Sequence, residues 1–153
     1  KETNDTDKTI IKFGNKLNAK YNPYSKQIKV EVKSCISDLI NTSLVSDDII
    51  DENKEKNNCK TKIAFRSKDV LLQKWNHIVF NYDSGTLDIF INNKIVSSTP
   101  NISPLYIDDG IIVGDNEGIE GAICNVMYFS NILSKSNINK IYKYFYTSTP
   151  PIL

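Results

Sequence analysis

Residues 74–96 read KWNHIVFNYDSGTLDIFINNKIV, and this stretch decides the fold class. Side chains alternate across a strand, so Ile78, Phe80 and Tyr82 share one face of a first arm, Trp75 to Tyr82. Leu87, Ile89 and Ile91 share one face of a second arm, Thr86 to Ile91. Asp83-Ser84-Gly85 joins them as a short hairpin loop whose glycine can take positive φ. Asn92-Asn93 is a second tight-turn signal, leading into Lys94-Ile95-Val96. Three strands joined by two tight turns make a β-meander. The six apolar residues pair across the first hairpin and supply much of the core.

Moving toward the N-terminus, Thr61 to Arg66 reads as a strand. Ser46 to Lys60, SDDIIDENKEKNNCK, is charged and lacks a period of two, which suits an exposed, solvated loop. Gln27 to Lys33 alternates strictly: Ile28, Val30 and Val32 face one way, and Gln27, Lys29, Glu31 and Lys33 the other. That pattern belongs to a half-buried strand of an antiparallel sheet. Cys35 to Ile40 either continues it or starts another. Ile10 to Phe13, followed by Gly14-Asn15, reads as a first short strand and turn.

Moving toward the C-terminus, Pro100 and Pro104 punctuate the chain. Leu105-Tyr106-Ile107 and Ile111-Ile112-Val113 frame an Asp108-Asp109-Gly110 turn, and 114–118 forms a loop. Gly121 to Phe129, GAICNVMYF, reads as a long apolar strand covered on both faces. Ser134 is placed as a helix N-cap, with Ile138, Ile141, Tyr142 and Phe145 at helical spacing behind it. The expectation is an all-β, two-sheet antiparallel jelly-roll sandwich with one short C-terminal helix. A flexible segment 1–9, one domain over 10–149 and a tail at 150–153 complete the layout.

The chain has 153 residues, enough for one ordinary domain with one core. Its formal net charge is +1, against the basic excess of a dedicated nucleic-acid binder. No apolar run approaches the roughly 18 residues of a membrane span. Arg66 is the one arginine and the other basic residues are lysine, which fits an AT-rich source such as a large DNA virus or a protist. Cys35 and Cys59 flank a polar segment, so a loop-closing disulfide is one reading. Reduced thiols at Cys35, Cys59 and Cys124, packed as small hydrophobes, is the favoured one, because a sparse, odd count is no disulfide framework. The sequons at Asn4, Asn41 and Asn101 are what an Asn-rich composition yields by chance.

Trp75, His77, Ile78, Tyr82, Gly85, Ile89, Phe90, Asn92 and Lys94 sit in register with a pattern of another kind. They resemble the central hairpin of laminin G-like and pentraxin-like domains of the concanavalin A-like superfamily, W-x-H/N-I/V-x-x-x-Y/F-x-x-G-x-x-x-I/V-Y/F-x-N-G-K. Asn93 stands for the last glycine and also tolerates left-handed φ. Residues 118–134, GIEGAICNVMYFSNILS, are similar to the closing strand of that family, with Asn125 in place of an acidic residue. The resemblance covers roughly residues 61–145. It implies the sandwich, a core position for Trp75, and His77 packed near that tryptophan. It does not imply one function, because this fold carries lectins, glucanases, adhesion modules and structural domains.

Glucanases of this fold carry an E-x-D-x-x-E-like run that aims two carboxylates into one cleft, and the chain has no such run. Asp47, Asp48, Asp51 and Glu52 fall in the expected loop. His77, the one histidine, would have to serve any nucleophilic pair or zinc site. No glycine-rich phosphate loop is present. The reading is therefore a non-enzyme.

For binding, the resemblance implies calcium at a sandwich rim, where Asp108, Asp109, Asp115 and Glu117 would supply oxygens beside Asn116. Turn formation explains the same residues and is the favoured reading, since Asp-Gly and Asp-Asn favour turns. A sugar platform would use Tyr21, Tyr24 and Tyr106, with Asn22 and Asn116 as polar contacts. The expected role is a non-catalytic, lectin-like recognition module binding a glycan or glycoprotein through rim loops. The alternative is a structural or assembly domain contacting protein, for example in a virion. Either fits an extracellular, cell-surface or virion location.

Overall fold

A computed structural model describes residues 7–14, 17–35, 59–68, 70, 74–102, 110–114 and 119–146. Among these, eight strands form two antiparallel sheets, followed by a single helix. The strands are β1 (Lys8–Phe13), β2 (Leu17–Asn22), β3 (Gln27–Cys35), β4 (Cys59–Ser67), β5 (Ile78–Asp83), β6 (Thr86–Ile91), β7 (Lys94–Thr99) and β8 (Ile111–Val113). The helix α1 spans Lys135–Tyr146. The five-stranded sheet runs β4-β3-β2-β1-β8 and the three-stranded sheet β5-β6-β7.

The central hairpin forms where its sequence places it, with two differences: Asp83 ends β5 opposite Thr86 instead of joining the loop, and Tyr82 is exposed rather than part of the core. Ile78 pairs with Ile91, Phe80 with Ile89 and Tyr82 with Leu87. Its turn is two residues long, with φ of 46° at Ser84 and 83° at Gly85. Asn92 and Asn93 follow at 49° and 65°. Two successive positive φ values match the right-handed strand twist, which is why Gly and Asn occupy these corners. The Gly85 carbonyl also accepts the Ile102 amide at 2.8 Å, and the Tyr82 hydroxyl donates to the Ile102 carbonyl at 2.8 Å. The turn thereby seats Ile102 in the core.

The inner faces of the two sheets make that core. Ala19, Val30, Val32 and Ala64 from one sheet meet Leu87 and Ile89 from the other, with Ile102 between. Alternation accounts for most of it, and a bulge accounts for Ala64. Val30 pairs with Phe65 but Glu31 pairs with Ile63, so Ala64 is an extra residue in β4. A bulge disrupts the local ladder. Here the Ala64 carbonyl is met from β7, by the Ser97 hydroxyl at 2.9 Å and the Thr99 hydroxyl at 3.1 Å. These bonds tie the two sheets together.

Helix α1 begins where Ser134 caps it, its hydroxyl accepting the Asn137 amide at 3.2 Å. Ile138 is fully buried, and Ile141, Tyr142 and Phe145 on the same face are half-buried. Asn93 holds the helix start to the β6–β7 turn: its amide donates to Asn139 at 2.8 Å, and its carbonyl accepts Lys135 at 2.7 Å. The Lys135 ammonium also lies over the Phe90 ring. Phe90 is therefore buried although it points away from the inter-sheet core.

Several expectations change. The apolar run 121–129 is not a covered strand: residues 119–134 carry no strand pairing, and Val126, Met127, Tyr128 and Phe129 are exposed. Asn125 turns into the left-handed region at φ 52°, which breaks the extended alternation. Within the run, the Tyr128 ring meets Phe13 at a tilt, 6.0 Å between centroids, and just beyond it Asn81 bonds the Leu133 backbone twice, at 3.0 Å each way. Trp75 is not a core residue but half exposed, because β5 starts at Ile78, beyond it. His77 meets the Tyr142 ring of α1, at 5.8 Å between centroids. β1 begins at Lys8, and β2 adds a strand that the alternation around Ala19 marks too faintly to read alone. The loop expected at Ser46 to Lys60 gives up Cys59 and Lys60 to β4, and the rest of it lies outside the described residues, as do Leu105-Tyr106-Ile107 and Asp108-Asp109.

His77 gives a pH test. Burial pushes its imidazole below the ordinary value of 6.5, and its Nδ1 is buried without a hydrogen-bond partner among the described residues. A base with a lowered folded pKa binds fewer protons folded than unfolded. Its contribution is complete above the unfolded pKa and is lost as pH falls below 6.5 toward the folded pKa. The urea midpoint should therefore drop between about pH 7.5 and about pH 5.5. His77→Asn should flatten that slope, and an equal slope in both proteins would place the titration elsewhere.

Candidate functional site

The outer face of the five-stranded sheet gathers a set of convergent polar groups. Alternation on β3 turns Lys29, Glu31 and Lys33 outward while Ile28, Val30 and Val32 are buried. Asn18 and Lys20 do the same on β2 around buried Ala19. The register aligns Lys12, Asn18, Glu31 and Ile63 in one row across four strands.

Lys20 lies directly opposite Lys29, a pairing that repels on its own. Glu31 resolves it, accepting Lys20 at 2.8 Å and Lys29 at 2.9 Å through its two oxygens. Lys29 also pairs with Asp7, which accepts the Asn22 amide at 3.1 Å. The Lys29 hydrogen bond holds the Asp7 carboxyl below its ordinary range, and the Asp7 bond raises Lys29 in turn. Partial burial pushes Glu31 up, but hydrogen bonds from Lys20 and Lys29 outweigh it and leave the group below its ordinary 4.5. Glu31 is thus an ionised acceptor at neutral pH.

Beside this network lies an open recess of about 170 Å³, lined by Lys12, Leu17, Asn18, Glu31, Lys33 and Thr61. Lys12 and Lys33 carry no ion-pair partner among the described residues. The Asn18 Oδ1 is buried, with no hydrogen-bond partner among the described residues. The recess therefore presents ammonium, amide and hydroxyl donors next to an amide oxygen and a carboxylate. That mixture suits a neutral or anionic polyhydroxylated ligand. Its lining holds one carboxylate, and that one is fixed in its ionised form by two lysines, so it is poorly suited to donate a proton to a leaving group.

Of the residues singled out in the sequence, Tyr21, Asn22 and Tyr24 do not line the recess. Tyr21 and Asn22 end β2, and Tyr24 lies in the following turn, 77% exposed. Asn22 is engaged structurally, accepting the Ser25 amide at 2.8 Å as well as bonding Asp7. Tyr106, Asn116, Asp108, Asp109, Asp115 and Glu117 lie outside the described residues. Lys12, Asn18, Lys33 and Thr61 were not singled out by sequence. The outward alternation at Lys29, Glu31 and Lys33 was legible, but its neighbours come from β1, β2 and β4, so only pairing assembles the row. Among the described residues, no group of three potential metal-ligating side chains converges, and no helix is long and apolar enough to cross a membrane.

Residues 45–139 match the family described as the concanavalin A-like lectin/glucanases superfamily. No curated protein matches the chain. Among solved structures, the chain is similar to residues 221–444 of an S-layer domain-containing protein from Clostridium thermocellum ATCC 27405, with 16% identity and a TM-score of 0.39. That likeness covers 93% of this chain, which spans 65% of the other.

Proposed function

The chain belongs to the concanavalin A-like lectin/glucanases superfamily, and from that premise we propose that it is a non-catalytic recognition module whose ligand is a glycan or glycoprotein. The observation that carries this reading is the recess on the five-stranded sheet, where Lys12, Asn18, Glu31, Lys33 and Thr61 offer donors and acceptors to one small volume. Bidentate hydrogen bonding to adjacent hydroxyls needs such a mixture. Exposed Tyr24, in the turn beyond the far end of β2, offers an aromatic face only to a ligand of several sugar units. Tyr21, Asn22, Tyr106 and Asn116 extend the rim-loop contact in this proposal, and Asp108, Asp109, Asp115 and Glu117 are the proposed calcium ligands.

A glycan array run with calcium and then with chelator tests this. Binding under both conditions supports the sheet-face recess without metal, and loss on chelation moves the site to the Asp108–Glu117 rim. Asn18→Ala and Lys33→Ala should each weaken a recess ligand by about 5- to 20-fold, the worth of one charge-assisted or buried hydrogen bond. Their melting temperatures should stay within about 3 °C of the parent. Unchanged affinity in both variants would remove the recess from the reading.

A second reading rests on a different observation. Ile111, Ile112, Val113, Val126, Met127, Tyr128 and Phe129 are all exposed. Exposed apolar surface of this kind is used for protein contacts. An array silent under both conditions would favour this assembly role at a cell surface or in a virion.

A further inference from the structure

Cys35 and Cys59 are direct partners in the backbone register of β3 and β4. We propose that their thiols form a cross-strand disulfide, which clamps this end of the strand pair and closes segment 36–58 into a covalent loop.

The register is specific. From Glu31 to Cys35 the ladder is unbroken: Glu31 with Ile63, Val32 with Lys62, Lys33 with Thr61, Ser34 with Lys60, Cys35 with Cys59. The bulge at Ala64 sets it. Counted on from Val30 and Phe65 without that extra residue, Cys35 would fall opposite Lys60, and Cys59 would lie one position beyond. Ser97 and Thr99 hold the bulged carbonyl from β7, so the other sheet fixes the pairing. Residues directly opposite in an antiparallel pair lie on the same face, with Cα atoms about 4.5 or about 5.5 Å apart according to ladder position. Both separations fall in the range a disulfide spans, roughly 4.4–6.8 Å.

Position gives the bond a purpose. Cys59 opens β4, the last strand of its sheet among the described residues, and Cys35 closes β3. Twenty-three residues separate the two cysteines. A covalent link between residues this far apart in sequence removes loop entropy from the unfolded chain. The chemistry is a thiol–disulfide exchange with a small-molecule disulfide such as oxidised glutathione. One cysteine thiolate attacks it, releasing a glutathione thiolate and leaving a mixed disulfide. The second cysteine thiolate then displaces the other glutathione. The two protein thiols lose two protons and two electrons, and one glutathione disulfide becomes two thiols. Cys124 is exposed and free, and serves as an internal reference.

The test uses the full chain, refolded in a glutathione redox buffer and alkylated before and after reduction. Peptide mass spectrometry should find Cys35 joined to Cys59, with Cys124 alone alkylated before reduction. Reductant should lower the melting temperature by roughly 10 °C. Cys35→Ser with Cys59→Ser should melt, without reductant, where the reduced parent melts. Alkylation of all three cysteines before reduction overturns the proposal, as does an intramolecular bond to Cys124. A melting temperature indifferent to reductant overturns the clamp.

Discussion

Ile89→Ala should lower the free energy of unfolding by about 4 kcal/mol, near the top of the range for truncating a buried isoleucine. Ile89 is 0% exposed at the centre of β6, opposite Phe80 on β5 and Ser97 on β7. Its side chain faces Val30, Val32 and Ala19 of the other sheet within one cluster. The cost depends on whether the site can collapse. It cannot collapse easily here, because β6 is hydrogen-bonded on both sides, and the facing strand β3 is itself flanked by β2 and β4. Urea denaturation followed by circular dichroism gives the number, with the midpoint falling and the slope unchanged. Ile95→Ala is the control: that residue is exposed on β7, and its removal should cost less than about 1 kcal/mol. A loss below about 1 kcal/mol for Ile89→Ala would mean that the two sheets do not share this core.

Ile138→Ala should cost about 3 kcal/mol, and the loss should be concentrated in one element. A helix of twelve residues is marginal alone, and α1 has no acidic residue in its first turn to favour the dipole. Its stability comes from docking. Ile138 is 0% exposed, and two neighbouring bonds position it, one donated by Asn93 to Asn139 and one by Lys135 to the Asn93 carbonyl. Losing the Ile138 side chain leaves only half-buried apolar contacts, the ring contact of Tyr142 with His77, and the exposed Lys135 and part-buried Asn139 bonds to hold the helix. Amide hydrogen exchange should then speed up along Lys135–Tyr146 and under it at Phe90, while Val30 and Ile89 stay protected. Uniform acceleration through both sheets would show that α1 is part of the main cooperative unit.

The hairpin residues were legible because their information is local. Asp83-Ser84-Gly85 and Asn92-Asn93 are turn sequences wherever they occur, and alternation fixes which side of each arm is apolar. The register Ile78–Ile91, Phe80–Ile89, Tyr82–Leu87 needs a two-residue turn, and the sequence placed Asp83 in the loop where the structure pairs it with Thr86. The Ser134 cap and the spacing of Ile138, Ile141, Tyr142 and Phe145 are equally local. The run 121–129 misled for the opposite reason. Its apolar content reads as burial, yet a left-handed Asn125 interrupts it, and nothing in a one-dimensional pattern marks which asparagine will turn.

The candidate site was less legible than the fold. Lys29, Glu31 and Lys33 were placed outward, but a lysine facing out is ordinarily solvated surface. What makes them a site is Asn18 and Lys12 in the same row, and a Lys20–Lys29 opposition that draws Glu31 between them. These are facts of pairing between strands distant in sequence.

The sequence by itself determined the antiparallel β character, the central meander, the N-cap and amphipathic face of the closing helix, and the superfamily to which the chain belongs. Each depends on residues within a few positions of one another, where backbone sterics and the period of the hydrophobic pattern leave little choice. Only the tertiary structure decided the bulge at Ala64, the half-exposed Trp75, the burial of Phe90 beneath α1, the polar row on the outer sheet, and the opposition of Cys35 to Cys59. A bulge shifts every later pairing by one residue, and it exists here because hydroxyls from the other sheet satisfy the carbonyl it frees. Long-range hydrogen bonding of that kind leaves no period in the sequence to read.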